Sequence, residues 1–307
     1  MIAAAIDVGT NSTRILIAET GSGKINTIYR TMEITRIGKN LDKTKMISKT
    51  SAARTVRVLK EYKQFMEDYG VQNYRAVGTR ALRMANNRQW FLDYAASEAS
   101  INLEIISGQQ EAFLSYSGAT ADLDKTKIFK NYNHNSNDYL VMDIGGGSTE
   151  LVVGSGSDPI MDISMDMGCV SLKEKFGNDY RHMENYVQEF VEENLKSWPG
   201  RVFKAALGLA GTITTLAGID MGLEVYDREK VHHHMLTYDR IEDINSRLQK
   251  MNLSQRKKLK GLHPKRADII VAGACILVRI MDFLGLDYVV VSESDILDGI
   301  IYSIVDF

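Results

Sequence analysis

One eight-residue pattern occurs twice in this chain, and the repetition limits the possible folds more than any other feature. Near the middle, Asp143-Ile144-Gly145-Gly146-Gly147-Ser148-Thr149-Glu150 follows the apolar run Tyr139-Leu140-Val141-Met142 and leads into Leu151-Val152-Val153. Apolar run, glycine-rich turn and apolar run read together as a β-hairpin. Near the N-terminus, Ile6-Asp7-Val8-Gly9-Thr10-Asn11-Ser12-Thr13-Arg14-Ile15-Leu16-Ile17 aligns on it without a gap. Asp7 falls on Asp143, Gly9 on Gly145, Ser12 on Ser148 and Thr13 on Thr149. A hairpin repeated about half a chain apart predicts two related lobes facing each other.

The chemistry of the turn points to phosphate. Gly145, Gly146 and Gly147 lack a Cβ, so their backbone can take positive φ and approach a bulky anion. Successive N–H groups there would form a nest for phosphate oxygens, with Ser148 and Thr149 adding hydroxyls. Asp143 and Glu150 would repel the same anion unless a hard cation lay between them, and Mg²⁺ suits carboxylates together with phosphate oxygens. By the repeat, Asn11, Ser12 and Thr13 are further phosphate candidates and Asp7 a further metal candidate. A third glycine-rich segment, Gly208 to Thr215, opens a predicted helix whose first amides, at Gly211 and Thr212, could hold another anion.

With 307 residues and 44% hydrophobic content, the chain can bury two sizeable cores. Its net charge of −2, with no basic tail and no aromatic RNA-binding motif, argues against nucleic acid as the main partner. The two cysteines, Cys169 and Cys275, lie far apart in apolar contexts, as expected of buried thiols in a reducing compartment. No apolar run is long enough for a membrane span. The protein is therefore expected to be cytoplasmic.

Along the chain, Gly21-Ser22-Gly23 marks a hairpin turn, and Ser48 caps a predicted helix with an apolar face through Met66. Its other side carries Arg54, Arg57, Lys60 and Lys63, expected to be a solvated face. The strand Tyr74–Val77 delivers Gly78-Thr79-Arg80-Ala81-Leu82-Arg83. The strand Leu103–Ile106 delivers Ser107-Gly108-Gln109-Gln110-Glu111-Ala112, with Glu111 in the first turn of a helix that favours an ionised carboxylate. An Asn-rich connection between Asp122 and Asp138, carrying Lys125, Lys127 and Lys130, reads as an interdomain linker. Trp198-Pro199-Gly200 is a turn. His232-His233-His234 cannot all face one ion from a regular element, so a metal role there is disfavoured. Residues 255–266 form the most basic stretch and the best candidate for attracting a polyanion.

Asp-x-Gly-x-Asn-Ser at 7–12, Gly-Thr-Arg-Ala-Leu-Arg at 78–83, Ile-Ser-Gly-x-x-Glu-Ala at 106–112 and Asp-Ile-Gly-Gly-Gly-Ser-Thr-Glu at 143–150 together resemble the exopolyphosphatase and guanosine pentaphosphate phosphohydrolase (Ppx/GppA) family of the actin-like superfamily. The resemblance covers nearly the whole chain. It implies an α/β fold of two actin-like (ribonuclease H-like) domains with an interdomain cleft. Domain I is expected over 1–122, with a C-terminal helix at 298–307 packing back on it, and domain II over 123–297.

The resemblance also implies hydrolysis of a terminal phosphoanhydride, in polyphosphate or in guanosine pentaphosphate. Mg²⁺ and a homodimer are implied as well. Relatives carry Gly-x-Glu-Glu-Ala, and their catalytic glutamate, the second of the pair, corresponds to Glu111; Gln110 replaces the first. Arg83 and Arg266, the latter in the Pro-x-Arg-Ala-Asp pattern, correspond to phosphate contacts, while Arg80 is expected to be only a surface partner. Where relatives read Gly-Leu-Arg-Glu-Gly, this chain reads Asp295-Ile296-Leu297-Asp298-Gly299, so the usual arginine is Leu297. Competing expectations are a small-molecule kinase of the superfamily, a non-catalytic alarmone sensor and an actin-like polymer.

Overall fold

The computed structural model describes residues 1–21, 24–121, 136–198 and 200–305. Ser22 and Gly23 of the predicted hairpin turn, the bulk of the Asn-rich connection with its lysines, and Pro199 lie outside the described residues. Two compact units are present: Met1–Gly118 with Ser294–Phe307, and Ala119–Glu293.

In the first unit, β1 (Ile2–Val8), β2 (Thr13–Gly21) and β3 (Lys24–Glu33) form an antiparallel meander. The short α1 (Leu41–Thr44) and the long α2 (Lys49–Asp68) lead to β4 (Asn73–Gly78), parallel to β1. Then α3 (Arg80–Met84) and α4 (Arg88–Ala99) precede β5 (Glu104–Ile105), parallel to β4, and α5 (Gly108–Thr120). The sheet order is β3-β2-β1-β4-β5.

Alternation along the central strands divides their side chains between two cores, as period-2 geometry requires. Ala4, Ile6, Val8, Ile15 and Ile17 pack with residues of α2 and α4. Ala3, Ala5, Leu16 and Ala18 pack instead with Ile296, Leu297, Ile300 and Ile301 of the terminal helix Ile296–Ser303. Both faces of β1 are covered, so the strand reads as a continuous buried run. The terminal helix and α5 approach so closely that a Cβ on Gly118 would come 1.9 Å from the Asp295 carbonyl oxygen, and one on Gly299 1.9 Å from that of Leu114.

The second unit repeats the plan. A meander of β6 (Asp138–Ile144), β7 (Thr149–Ser155) and β8 (Asp158–Met165) is followed by α6 (Cys169–Phe176) and α7 (Tyr180–Leu195). Next come β9 (Ala205–Leu209), parallel to β6, and α8 (Ala210–Asp220). Beyond them lie α9 (Arg228–Val231), β10 (Met235–Thr237), α10 (Tyr238–Lys250), α11 (Leu253–Arg256) and α12 (Ile270–Leu284), then β11 (Tyr288–Val291), parallel to β9. The order β10-β11-β9-β6-β7-β8 reproduces that of the first sheet with β10 added at the edge. The repeat read in the hairpins thus extends to both sheets, and the fold is α/β and actin-like in each unit. Helix α12 is buried almost all round, which explains its uninterrupted apolar sequence.

Candidate active-site residues

The two repeated hairpins close with the same bond: Gly9 N–H donates to the Ser12 carbonyl at 3.0 Å, and Gly145 N–H to the Ser148 carbonyl at 3.0 Å. Neither Gly9 nor Gly145 lies in the left-handed region, contrary to the positive φ anticipated for the glycine run. Close approach is what favours glycine at both. A Cβ would fall 3.2 Å from the Ser12 oxygen at Gly9 and 3.1 Å from the Ser148 oxygen at Gly145.

The two threonines correct a second expectation. Thr13 and Thr149 are fully buried; the Thr13 hydroxyl pairs with that of Thr35 at 2.9 Å, and the Thr149 hydroxyl donates to the Met167 carbonyl at 2.6 Å. As first residues of β2 and β7 their side chains turn into the protein, so these hydroxyls pin strands rather than phosphate. Among the described residues, no hydrogen bond ties up the Ser148 hydroxyl, which stays on the turn.

Position by position the hairpins have diverged in charge. Asp143 stands opposite Glu150 in the β6–β7 register, whereas Asp7 stands opposite Arg14 in β1–β2. Arg14 donates to Asp7 Oδ2 through Nε at 2.9 Å and Nη2 at 2.7 Å, and through Nη1 to Asp295 Oδ2 at 2.6 Å. Arg30 in turn binds Asp295 at 2.6 Å and Asp298 at 2.8 Å. Burial pushes the Asp7 carboxyl up, against Arg14. Burial also opposes ionisation of Asp295, but Arg14 and Arg30 outweigh it and hold that carboxyl below the usual range. This network was not anticipated from the sequence. Its one visible signal is that Arg14 occupies the place of Glu150 in the repeat.

One carboxylate oxygen of Asp7 is thus committed to Arg14. The other, Oδ1, is buried without a hydrogen-bond partner, as is Oδ1 of Asn11 in the same hairpin. Two orphaned acceptors fit a hydrated hard cation. In the second unit, Asp143 and Glu150 are buried cross-strand neighbours, and Glu150 accepts from the Ser164 hydroxyl at 2.9 Å. Adjacent buried carboxylates suit Mg²⁺, which takes few protein ligands and keeps water and phosphate oxygens. Among the described residues, no three His, Cys, Asp or Glu side chains cluster as a metal site.

The second-unit turn is braced by α6. Cys169 and Val170 N–H groups donate to the Gly145 and Gly146 carbonyls at 3.1 and 2.7 Å, and a Cβ on Gly168 would come 2.5 Å from Gly147 N. Its carbonyls are therefore turned toward α6. At the β9–α8 junction Ala210 adopts φ 62°, the left-handed region, immediately before Gly211. The Arg266 guanidinium lies on Gly211: a Cβ there would be 1.7 Å from Nη1. Gly211 and Arg266, distant in sequence, are therefore brought together at a helix N-terminus. Thr212 is buried and packs where a Cβ on Gly273 would meet it at 2.5 Å. Burial pushes the Cys169 thiol up to about 11, with Arg266 opposing. The basic stretch presents one cation fewer at the surface than expected, because Arg256 is buried and donates to the Met251 and Ala267 carbonyls and to the Tyr180 hydroxyl.

In the first unit, Ser107 and Gln110 close a capping box on α5. Ser107 N–H donates to Gln110 Oε1 at 2.8 Å and Gln110 N–H to Ser107 Oγ at 3.1 Å. An amide oxygen serves that box as well as a carboxylate would, which accounts for glutamine at 110. Glu111 then projects from the first turn, where Arg83 Nη1 donates to its Oε2 at 2.6 Å and to the Ile106 carbonyl at 3.0 Å. Arg83 and Glu111 are brought together. Arg80 is not a surface residue; it is buried and paired with Asp42 at 2.9 Å.

The profile of the Ppx/GppA phosphatase family matches residues 16–306. The chain belongs to this family. It is 33% identical to exopolyphosphatase 2 of Mycobacterium tuberculosis, over 98% of each chain. It is 35% identical to the bifunctional 3-dehydroquinate synthase/phosphatase of Fusobacterium nucleatum, over 97% of this chain and 46% of that protein, so it spans about half of that relative. Among solved structures it is similar to the Aquifex aeolicus PPX-GPPA enzyme, at a TM-score of 0.82 and 31% identity over 99% of each chain. Within the Ppx/GppA pattern, the position of the usual arginine is held by Leu297, fully in the core beneath β1 and β2. Among the described residues, no helix is long and apolar enough to cross a membrane.

Proposed function

We propose that this chain hydrolyses the terminal phosphoanhydride of inorganic polyphosphate or of guanosine pentaphosphate. The observation that carries the reading is Glu111, fixed at the start of α5 by the capping box and held 2.6 Å from the Arg83 guanidinium. A carboxylate so oriented and counter-charged can accept a proton from an attacking water. The family membership and the exopolyphosphatase relative support it further.

In this reading Gly145, Gly146, Gly147 and Ser148 bind phosphate oxygens, joined by the N-terminus of α8 at Gly211 and by Arg266. In the first unit the candidate phosphate contacts are Asn11, Ser12 and Arg83. In the second unit Asp143 and Glu150 would hold Mg²⁺, and in the first unit Asp7 Oδ1 offers an acceptor for a hard cation. When bound, the ion offsets charge on the transferring phosphoryl group, a reaction governed by positioning and electrostatics. Glu111 takes the proton of water as its oxygen attacks the terminal phosphorus, and the shortened phosphate leaves with the bridging oxygen.

The test is orthophosphate release with Mg²⁺ from each of the two substrates, with Glu111→Gln alongside. Loss of general-base action lowers turnover by about 10²- to 10⁴-fold. Unchanged turnover in the variant would sink the assignment of the base, and no release from either substrate by the unaltered chain would sink the reaction.

A further inference from the structure

A cavity of about 410 Å³ opens in the first unit, lined by Lys39, Asn40, Thr44, Met46, Ser48, Thr50, Ser51 and Arg54. Its size is that of a small-ligand site. Besides Asn40 and Met46, its lining carries two cations, four hydroxyl side chains, those of Thr44, Ser48, Thr50 and Ser51, and no carboxylate.

The cations stand out against their neighbours. Along α2, Arg57, Lys60 and Lys63 are each paired with a glutamate: Glu61, Glu98 and Glu67. Arg54 was expected on the same solvated face, yet it is half-buried and, among the described residues, binds no acid. Its Nε donates to the Thr35 carbonyl at 2.5 Å and its Nη2 to the Ser51 hydroxyl at 3.3 Å. Among the described residues, no carboxylate pairs with Lys39, and the first turn of α2 carries no acidic residue. The positive charge of this cavity is uncompensated, which suits an anion rich in acceptor oxygens.

The cavity wall is also tied to the β1–β2 turn. Gly38, next to Lys39, packs on Thr10 so tightly that a Cβ would come 2.4 Å from Thr10 Cγ2, and Gly38 N–H donates to the Thr10 carbonyl at 3.0 Å. The Arg36 N–H donates to the Asn11 carbonyl at 2.8 Å. Thr35, whose carbonyl Arg54 holds, shares its hydroxyl with Thr13. The cavity therefore adjoins, through one strand end, the hairpin assigned to phosphate.

We propose that this cavity is a subsite for non-reacting phosphates of a polyphosphate chain, with Lys39 and Arg54 as its cationic contacts. The proposal rests on the polyphosphate reading above, and it favours a long inorganic chain over a nucleotide. Two measurements on Lys39→Glu, an exposed position whose change leaves the Arg54 contacts intact, test it. The first is calorimetric titration of tripolyphosphate and of orthophosphate at low salt, which needs no turnover and so stands even if the hydrolysis reading fails. Reversing one charge beside the anion weakens tripolyphosphate binding roughly tenfold. The second is KM against chain length. In the unaltered chain KM falls as polyphosphate lengthens, and in Lys39→Glu this dependence flattens while kcat for long chains is retained. Tripolyphosphate affinity the same in both proteins, or an equal rise in KM at every chain length, would overturn the subsite. So would orthophosphate binding as tightly as tripolyphosphate, which would mark an independent phosphate site. A thermal melt of Lys39→Glu matching that of the unaltered chain makes these outcomes interpretable.

Discussion

At the scale of single residues, hydroxyls adjacent in sequence have opposite fates. Ser148 lies on the turn and Thr149 begins β7, so strand parity turns the threonine inward, where it donates to the Met167 carbonyl. Thr13 repeats this at the start of β2. A motif match assigns both hydroxyls to phosphate because it records residue type and not the direction set by the first strand residue. The consequence is measurable. Thr149→Val leaves a buried acceptor unsatisfied and destabilises the protein by about 1–3 kcal/mol, read from urea denaturation, while KM for substrate is unchanged. Ser148→Ala reverses the pattern, with little change in stability and a raised KM. If Thr149→Val raised KM without loss of stability, its hydroxyl would belong to the substrate after all.

At the scale of elements, the hairpins, the α8 start and the α5 start were legible because glycine, serine and periodic apolar residues write turns and caps locally. Contacts between distant elements were not. Nothing in the sequence says that Arg266 lies on Gly211, because that depends on how the loop before α12 folds over the β9–α8 junction. The glycine at 211 nevertheless has a specific role: it makes room for a guanidinium. In Gly211→Ala the new Cβ would meet Nη1 at 1.7 Å, and the arginine, being the flexible partner, must swing away. The variant should fold and show KM raised to about the same degree as Arg266→Ala. Because both changes remove one arrangement, their effects do not add, and the double variant matches either single one. Additive losses in this cycle would separate the two residues.

At the scale of the whole molecule, the first unit is built from both ends of the chain, since Ser294–Phe307 belongs with Met1–Gly118. The terminal helix contributes an apolar face to the sheet and two aspartates to the Arg14 and Arg30 network, so chain closure and the Asp7 environment are one structure. The sequence showed the loss of an arginine at Leu297 but not that Asp295, beside it, had become a buried ion partner. Because Asp295 has its folded-state carboxyl held below the usual value, its contribution is fully present above the unfolded value of about 3.9. That contribution is lost as pH falls through the lower folded value. Asp295→Asn removes the partner shared by Arg14 and Arg30 and costs about 3 kcal/mol at neutral pH. By urea unfolding at pH 7 and pH 3, the gap between Asp295→Asn and the unaltered chain should be wider at the first than at the second. An equal gap at both would mean that the aspartate stabilises the unit through packing, with its charge contributing nothing.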